Sequence, residues 1–179
     1  MASRVLYLLG SAAPPVLDFA DVVSRVQADG WSVCVGLTPT AADWLGDQLP
    51  ALEQQTGHPV RSTPRTPGDN EVWPDADAAI VAPASLNTVN VAALGLTPNF
   101  LAGYVAEAIG KQWPLVVMPC VNSAYATHPQ FGRSIETLRS AGVRVLFGEG
   151  GFQPDPPGQG DRKAYPWALA LDAARSLAE

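Results

Sequence analysis

Five short, mainly apolar runs constrain this chain more than any other feature: Val5 to Leu9, Ala78 to Ala82 and Leu115 to Met118 are uninterrupted, while Trp31 to Leu37 carries Ser32 and Gly36 and Val143 to Phe147 carries Arg144. A strand with one wet face alternates apolar and polar residues, whereas a continuous apolar strand is covered on both faces, as in parallel sheets. Between the runs the apolar residues recur at helical spacing. Val16, Phe19, Ala20, Val23 and Val26 form one such series, and Phe100, Leu101, Tyr104, Val105 and Ala108 another. Ile135, Leu138 and Ala141 make a third, and Tyr165 to Leu177 reads as a closing helix. Strands alternating with helices imply an α/β fold, a doubly wound parallel sheet in a single three-layer domain over residues 1–179.

Punctuation residues set the expected boundaries. Pro14-Pro15 opens the first helix, and Asp29-Gly30 ends it with glycine in the left-handed cap. Thr38 or Thr40 caps the second helix, and Thr97, followed by Pro98, caps the one before the fourth strand. Gly57 to Trp73, rich in proline and small polar residues, reads as a long loop with a short strand at Pro59-Val60-Arg61. Gly148 to Gly160 holds five glycines and three prolines, and the stretch 148–163 reads as a flexible flap.

In doubly wound sheets ligands sit beyond the carboxyl ends of the strands. Here those ends are Gly10-Ser11, Thr38-Pro39-Thr40, Pro83-Ala84-Ser85-Leu86-Asn87-Thr88 and Pro119-Cys120-Val121-Asn122. All are small or polar, and none is charged. At Pro83 a buried strand passes directly into a helix start, where outward-pointing amides and hydroxyls suit a polar ring or a phosphate.

The net charge of −6 argues against nucleic acid and anionic membranes as partners. The apolar run near the start is only five residues long, too short for a signal peptide or a membrane span. Cys34 and Cys120 lie inside or at the end of apolar runs and read as buried free thiols, which suits a cytoplasmic protein. A charged fraction of 16 % hints at surface covered in an oligomer. Two histidines and two cysteines without ligand spacing make no metal site, and neither a Gly-x-Ser-x-Gly turn nor a phosphate loop is present.

Pro83 to Thr88 resembles the Pro-Ala-Ser-Ala-Asn-Thr signature of the homo-oligomeric flavin-containing cysteine decarboxylases, which include phosphopantothenoylcysteine and lantibiotic peptidyl-cysteine decarboxylases. The resemblance runs nearly the length of the chain. Gly10-Ser11 stands at the family's first flavin phosphate turn, Thr38-Pro39-Thr40-Ala41-Ala42 is similar to its Thr-Pro-Ala-Ala element, and Gly95 to Leu101 is similar to its Gly-x-x-x-Asp/Asn-Leu-Leu stretch. Pro119-Cys120-Val121-Asn122 resembles its Pro-x-Met-Asn motif, with valine in place of methionine. The resemblance implies a Rossmann-like or flavodoxin-like frame, FMN as cofactor, and a homotrimer or higher assembly with flavin between subunits. It implies flavin contacts at Gly10, Ser11, Thr38, Thr40, Pro83, Ala84, Ser85, Asn87, Thr88 and Asn99, and a substrate-carboxylate contact at Asn122.

Two departures stand out. The family's decarboxylases carry a catalytic histidine in a Gly-His element where this chain has Asp69, and pantothenoyl-type members carry a flap cysteine that Gly148 to Arg162 lacks. Asp69 as a base and His128 as an acid–base group are the candidate substitutes; His58 reads as a loop residue. Each candidate also has a plain reading, because serine, threonine and asparagine cap helices everywhere and loop carboxylates are usually solvated. Arg162 and Lys163 either meet an anionic substrate or form a solvated charge pair. Three functions follow: a flavin-dependent redox enzyme acting on a small thiol- or carboxylate-bearing molecule or a peptide terminus, a non-catalytic flavin carrier or regulator, and a scaffold for another nucleotide.

Overall fold

The structure, a computed structural model, describes residues 3–179. The strands are β1 (Val5–Gly10), β2 (Ser32–Leu37), β3 (Ala78–Ala84), β4 (Leu115–Pro119) and β5 (Arg144–Val145). They form one parallel sheet in the order β2-β1-β3-β4-β5. This is the flavodoxin-like order, with its switch point between β1 and β3. The helices are α1 (Phe19–Ala28), α2 (Pro39–Leu45), α3 (Leu49–Thr56), α4 (Leu86–Leu94), α5 (Phe100–Lys111), α6 (Ser123–Ala126), α7 (Pro129–Ser140) and α8 (Trp167–Leu177).

The two faces of the sheet explain the unbroken apolar runs. Leu6, Leu8, Val33, Val35, Ile80, Val116 and Met118 face one core with residues of α1, α3 and α8. Tyr7, Leu9, Cys34, Ala79, Val81, Leu115 and Val117 face the other, beneath α4, α5 and α7. Successive side chains point to opposite sides, so each needs an apolar residue.

Several boundaries differ from the sequence expectations. Pro14-Pro15 opens not an α-helix but a 3-10 segment, Pro14–Asp18, and α1 starts at Phe19. Neither proline has an N–H, so the first donor, that of Val16, closes a tight turn onto the Ala13 carbonyl at 3.0 Å. Asn99, rather than Thr97, caps α5: its Oδ1 accepts from the Ala102 amide at 2.9 Å. α5 begins only at Phe100, two residues later than a Thr97 cap requires, so Asn99, in extended backbone, is the residue at the cap position.

β5 is two residues rather than five, because the chain leaves the sheet after Leu146 and turns at Gly148 so that Phe147 pairs with Phe152. The short strand at Pro59–Arg61 reduces to a bridge between Arg61 and Gly36. The stretch read as a flexible flap meets the rest of the fold at its middle and at its C-terminal end. Ser123 N–H donates to the Asp155 carbonyl at 2.8 Å, and Arg162 and Lys163 both pair with Asp18.

The helices α3 and α6 have no counterpart in the sequence reading. Among the described residues no helix is long and apolar enough to cross a membrane, and no cluster of three His, Cys, Asp or Glu could hold a metal.

Candidate functional site

The corner at the switch point is built around Ser11, which is buried. Its hydroxyl donates to the Pro83 carbonyl at 2.8 Å and accepts from the Ser85 amide at 2.8 Å, while its own amide donates to Pro83 at 3.0 Å. One side chain thus joins the end of β1 to the irregular end of β3, where pairing with β4 slips between Val81 and Ala84. Pro83 supplies no N–H there, so the ladder cannot continue regularly. Removing the hydroxyl leaves the Ser85 N–H without its acceptor. Ser11→Ala is expected to lower unfolding free energy by about 1–3 kcal/mol in a denaturant titration.

The neighbouring strand ends are organised by helix caps. Thr38 Oγ1 accepts from the Ala41 amide at 3.3 Å, and the Thr38 amide donates to the Gly10 carbonyl at 3.0 Å. Ser85 Oγ accepts from the Thr88 amide at 3.3 Å and lies 3.2 Å from Thr88 Oγ1. Gly10 is demanded by packing, since a Cβ there would meet Phe19 Cζ at 2.4 Å and Val16 Cγ2 at 2.9 Å. Asn122 caps α6, its Oδ1 accepting from the Tyr125 amide at 2.9 Å.

Around this corner lies a cavity of about 410 Å³ at the ends of β1, β3 and β4. Ala12, Ala13, Pro14, Val121 and Phe152 give it apolar walls, and Ser85, Asn122, Tyr125 and Arg162 supply polar groups. Tyr165 stands behind Phe152, ring centroids 5.6 Å apart, and its hydroxyl donates to the Met118 carbonyl at 2.7 Å. Full burial raises the Tyr165 phenol well above its ordinary range.

Cys120 also lines the cavity and is half-buried, not a core thiol as the sequence suggested. It sits one residue beyond β4, its amide tied to the Ala84 carbonyl at 2.9 Å, so the strand ends before the side chain is enclosed. Loss of hydration pushes its thiol up to about 11, so it is uncharged at neutral pH.

Of the residues singled out in the sequence, Ser85 and Asn122 line this cavity, and Gly10, Ser11, Pro83, Ala84 and Thr88 form the framework behind it. Thr38 stands at the adjoining strand end, and Thr40 and Asn87 are exposed on α2 and α4. Asp69 lies outside the cavity, exposed on its loop, where its carboxylate accepts from the Thr66 amide at 2.8 Å. His128 is exposed and caps α7, with Nδ1 accepting from the Gln130 amide at 3.1 Å. His58 Nε2 lies 3.2 Å from Ser32 Oγ. Neither Asp69 nor His128 is among the residues that line the cavity with Asn122. Sequence reasoning missed Ala12, Ala13, Tyr125, Phe152 and Tyr165, whose residue types carry no motif.

A second, larger cavity of about 790 Å³ runs beside α5, and Asn99 lies there rather than at the strand ends. Its floor includes Tyr7, Phe100 and Tyr104. Most of its charges pair among themselves: Arg61 and Arg65 with Glu71, and Lys111 with Glu107. Arg61 also lies over the Phe100 ring, 4.0 Å from its centroid. The cavity at the strand ends is therefore the better candidate, since it combines apolar walls with a few polar groups at the switch point.

A family model described as Flavoprotein matches residues 3–164. Comparison with curated proteins finds no match. Among solved structures the chain is similar to TvaF, an FMN-dependent cysteine decarboxylase from thioviridamide biosynthesis. That similarity has a TM-score of 0.77 at 20 % identity and covers 99 % of both chains. It is also similar to MrsD from a Bacillus species, with a TM-score of 0.73 at 18 % identity over 99 % of this chain and 97 % of that one. A PPC decarboxylase variant complexed with pantothenoylaminoethenethiol gives 0.67 at 19 % identity, over 98 % and 97 %. At these identities the structures show a shared fold.

Proposed function

Because the chain belongs to the Flavoprotein family, we propose that it binds FMN in the strand-end cavity and acts as a flavin-dependent redox enzyme on a small thiol- or carboxylate-bearing substrate, in the manner of an oxidative decarboxylase. The observation that carries this reading is the cavity itself. It pairs flat apolar walls from Ala12, Ala13, Pro14 and Val121 with uncharged polar groups at the start of α4. That donor set suits a planar ring system joined to a phosphate, because helix-start amides favour anions and the apolar walls favour the ring.

Ser85 and the first turn of α4 would hold the polar part of the cofactor, and Val121 and Phe152 would exclude water from the ring. Bound FMN supplies the two-electron redox chemistry, which no side chain provides. Asn122 orients the substrate: with Oδ1 committed to Tyr125, its amide N–H groups are the ones left to donate. Cys120 presents a neutral thiol to the cavity at physiological pH. Proton transfer is not assigned to Asp69 or His128, because both lie outside the cavity in this chain. The reading includes assembly into a homotrimer or higher oligomer, supported by the exposed Leu94, Leu96 and Trp113.

The test is the visible absorption spectrum of the purified protein, before and after addition of FMN or riboflavin, followed by anaerobic addition of thiol carboxylates. An oxidised-flavin spectrum, tighter retention of FMN than of riboflavin, and bleaching by one such compound are expected. Protein that takes up neither flavin would overturn the reading. FMN that no thiol carboxylate bleaches would instead describe a carrier.

A further inference from the structure

Resting on that reading of the strand-end cavity, the geometry points to Arg162 as the residue that selects a carboxylate-bearing substrate, with the Asn122 amide as its neutral companion. Among the described residues lining the cavity, Arg162 is the one cationic side chain. Its side chain is 36 % exposed, and its Nε lies 3.2 Å from Oδ2 of Asp18, itself only 10 % exposed. The other Asp18 oxygen is taken by Lys163. Asp18 therefore holds the guanidinium by its inner nitrogen, and the two terminal nitrogens, the pair that fits a carboxylate fork, remain available.

Asn122 is fixed in the same sense. Its Oδ1 accepts from Tyr125, so the group it can turn to a ligand is an N–H donor. Ser85 Oγ is already engaged with Thr88. The half-buried polar groups left uncommitted around the cavity are donors, and one carries a charge. Asp155 and Asp161 also line it, but both are exposed at its rim, where water and salt screen them. The set accepts a carboxylate and disfavours its amide, which would bring N–H groups against N–H groups.

Arg162 follows a run of glycines and prolines, in the segment that Ser123 and Asp18 tie down at its middle and at its C-terminal end. The segment that encloses the cavity therefore also carries its charge selectivity.

The experiment uses the FMN-loaded protein and two probes, N-acetylcysteine and N-acetylcysteine amide, titrated while the flavin absorbance is followed. Wild type is expected to favour the acid by about ten- to a hundredfold, the range for a hydrogen bond to a charged group. Arg162→Gln removes that preference while FMN stays bound, and Arg162→Lys, which keeps the charge but not the fork, keeps part of it. Equal or absent responses of wild type to the two probes overturn the inference, as does a preference that survives in Arg162→Gln. The competing partner for Arg162 is the other oxyanion, the flavin phosphate. A variant that loses FMN but holds riboflavin normally assigns Arg162 to that phosphate and overturns the substrate role. Wild type that holds no FMN instead removes the reading on which the inference rests.

Discussion

Tyr165→Ala is expected to lose about 3–5 kcal/mol of folding stability, the cost of emptying a buried aromatic site. The ring packs against Phe152 and, at a centroid distance of 5.0 Å, against Trp167. Its hydroxyl satisfies the Met118 carbonyl at the end of β4. The same change removes support from the cavity wall, so FMN retention falls with stability. Tyr165→Phe separates the two contributions: it keeps the ring and is expected to cost about 1 kcal/mol for the hydrogen bond.

Both variants also change the pH dependence of stability, because each removes the phenol. Burial raises the phenol in the folded protein, so the unfolded chain gives up its proton first, near pH ~10. Stability from this group is full below that pH and falls as pH rises above it. Tyr165→Phe makes that fall shallower. It does not abolish it, because burial also raises Tyr7 and Tyr104. Chemical denaturation at several alkaline pH values checks the slope.

Gly151→Ala is the second large effect, expected at about 1–3 kcal/mol with loss of FMN retention. A Cβ at this position would lie 2.4 Å from the Leu146 carbonyl carbon and 2.5 Å from the Phe147 nitrogen. Both are backbone atoms and cannot rotate away as a side chain would. Relief requires moving the turn that pairs Phe147 with Phe152, and Phe152 is part of the cavity wall. Gly132→Ala is the control: it sits on the exposed side of α7 with nothing near its Cβ, and should be neutral or slightly stabilising. Thermal melts and the flavin spectrum of both variants test the pair.

Much of the frame was legible because period and composition report burial directly. The runs Val5 to Leu9 and Ala78 to Ala82 read as strands covered on both faces, and they are. The polar strand ends lie at one edge of the sheet, and Ser85 and Asn122 line a cavity there. The exact helix starts were less legible, because two neighbouring residues of capping type read alike in sequence. Thr38 before Pro39 caps α2, whereas after Thr97-Pro98 the helix begins two residues later and Asn99 caps it.

By itself the sequence determined the parallel sheet, its two covered faces and the small polar residues at the carboxyl ends of the strands. Those follow from local spacing and from the chemistry of each residue type. Tertiary structure alone decided which polar groups are spent inside the fold and which remain for a ligand. Ser11 belongs to the first kind, since residues 72 and 74 positions away occupy its hydroxyl. In the reading proposed above Arg162 belongs to the second, because Asp18, far from it in sequence, engages its Nε while the residue lines the cavity. A hydrogen-bonding group's availability depends on partners distant in the chain, and spacing along the chain carries no record of them.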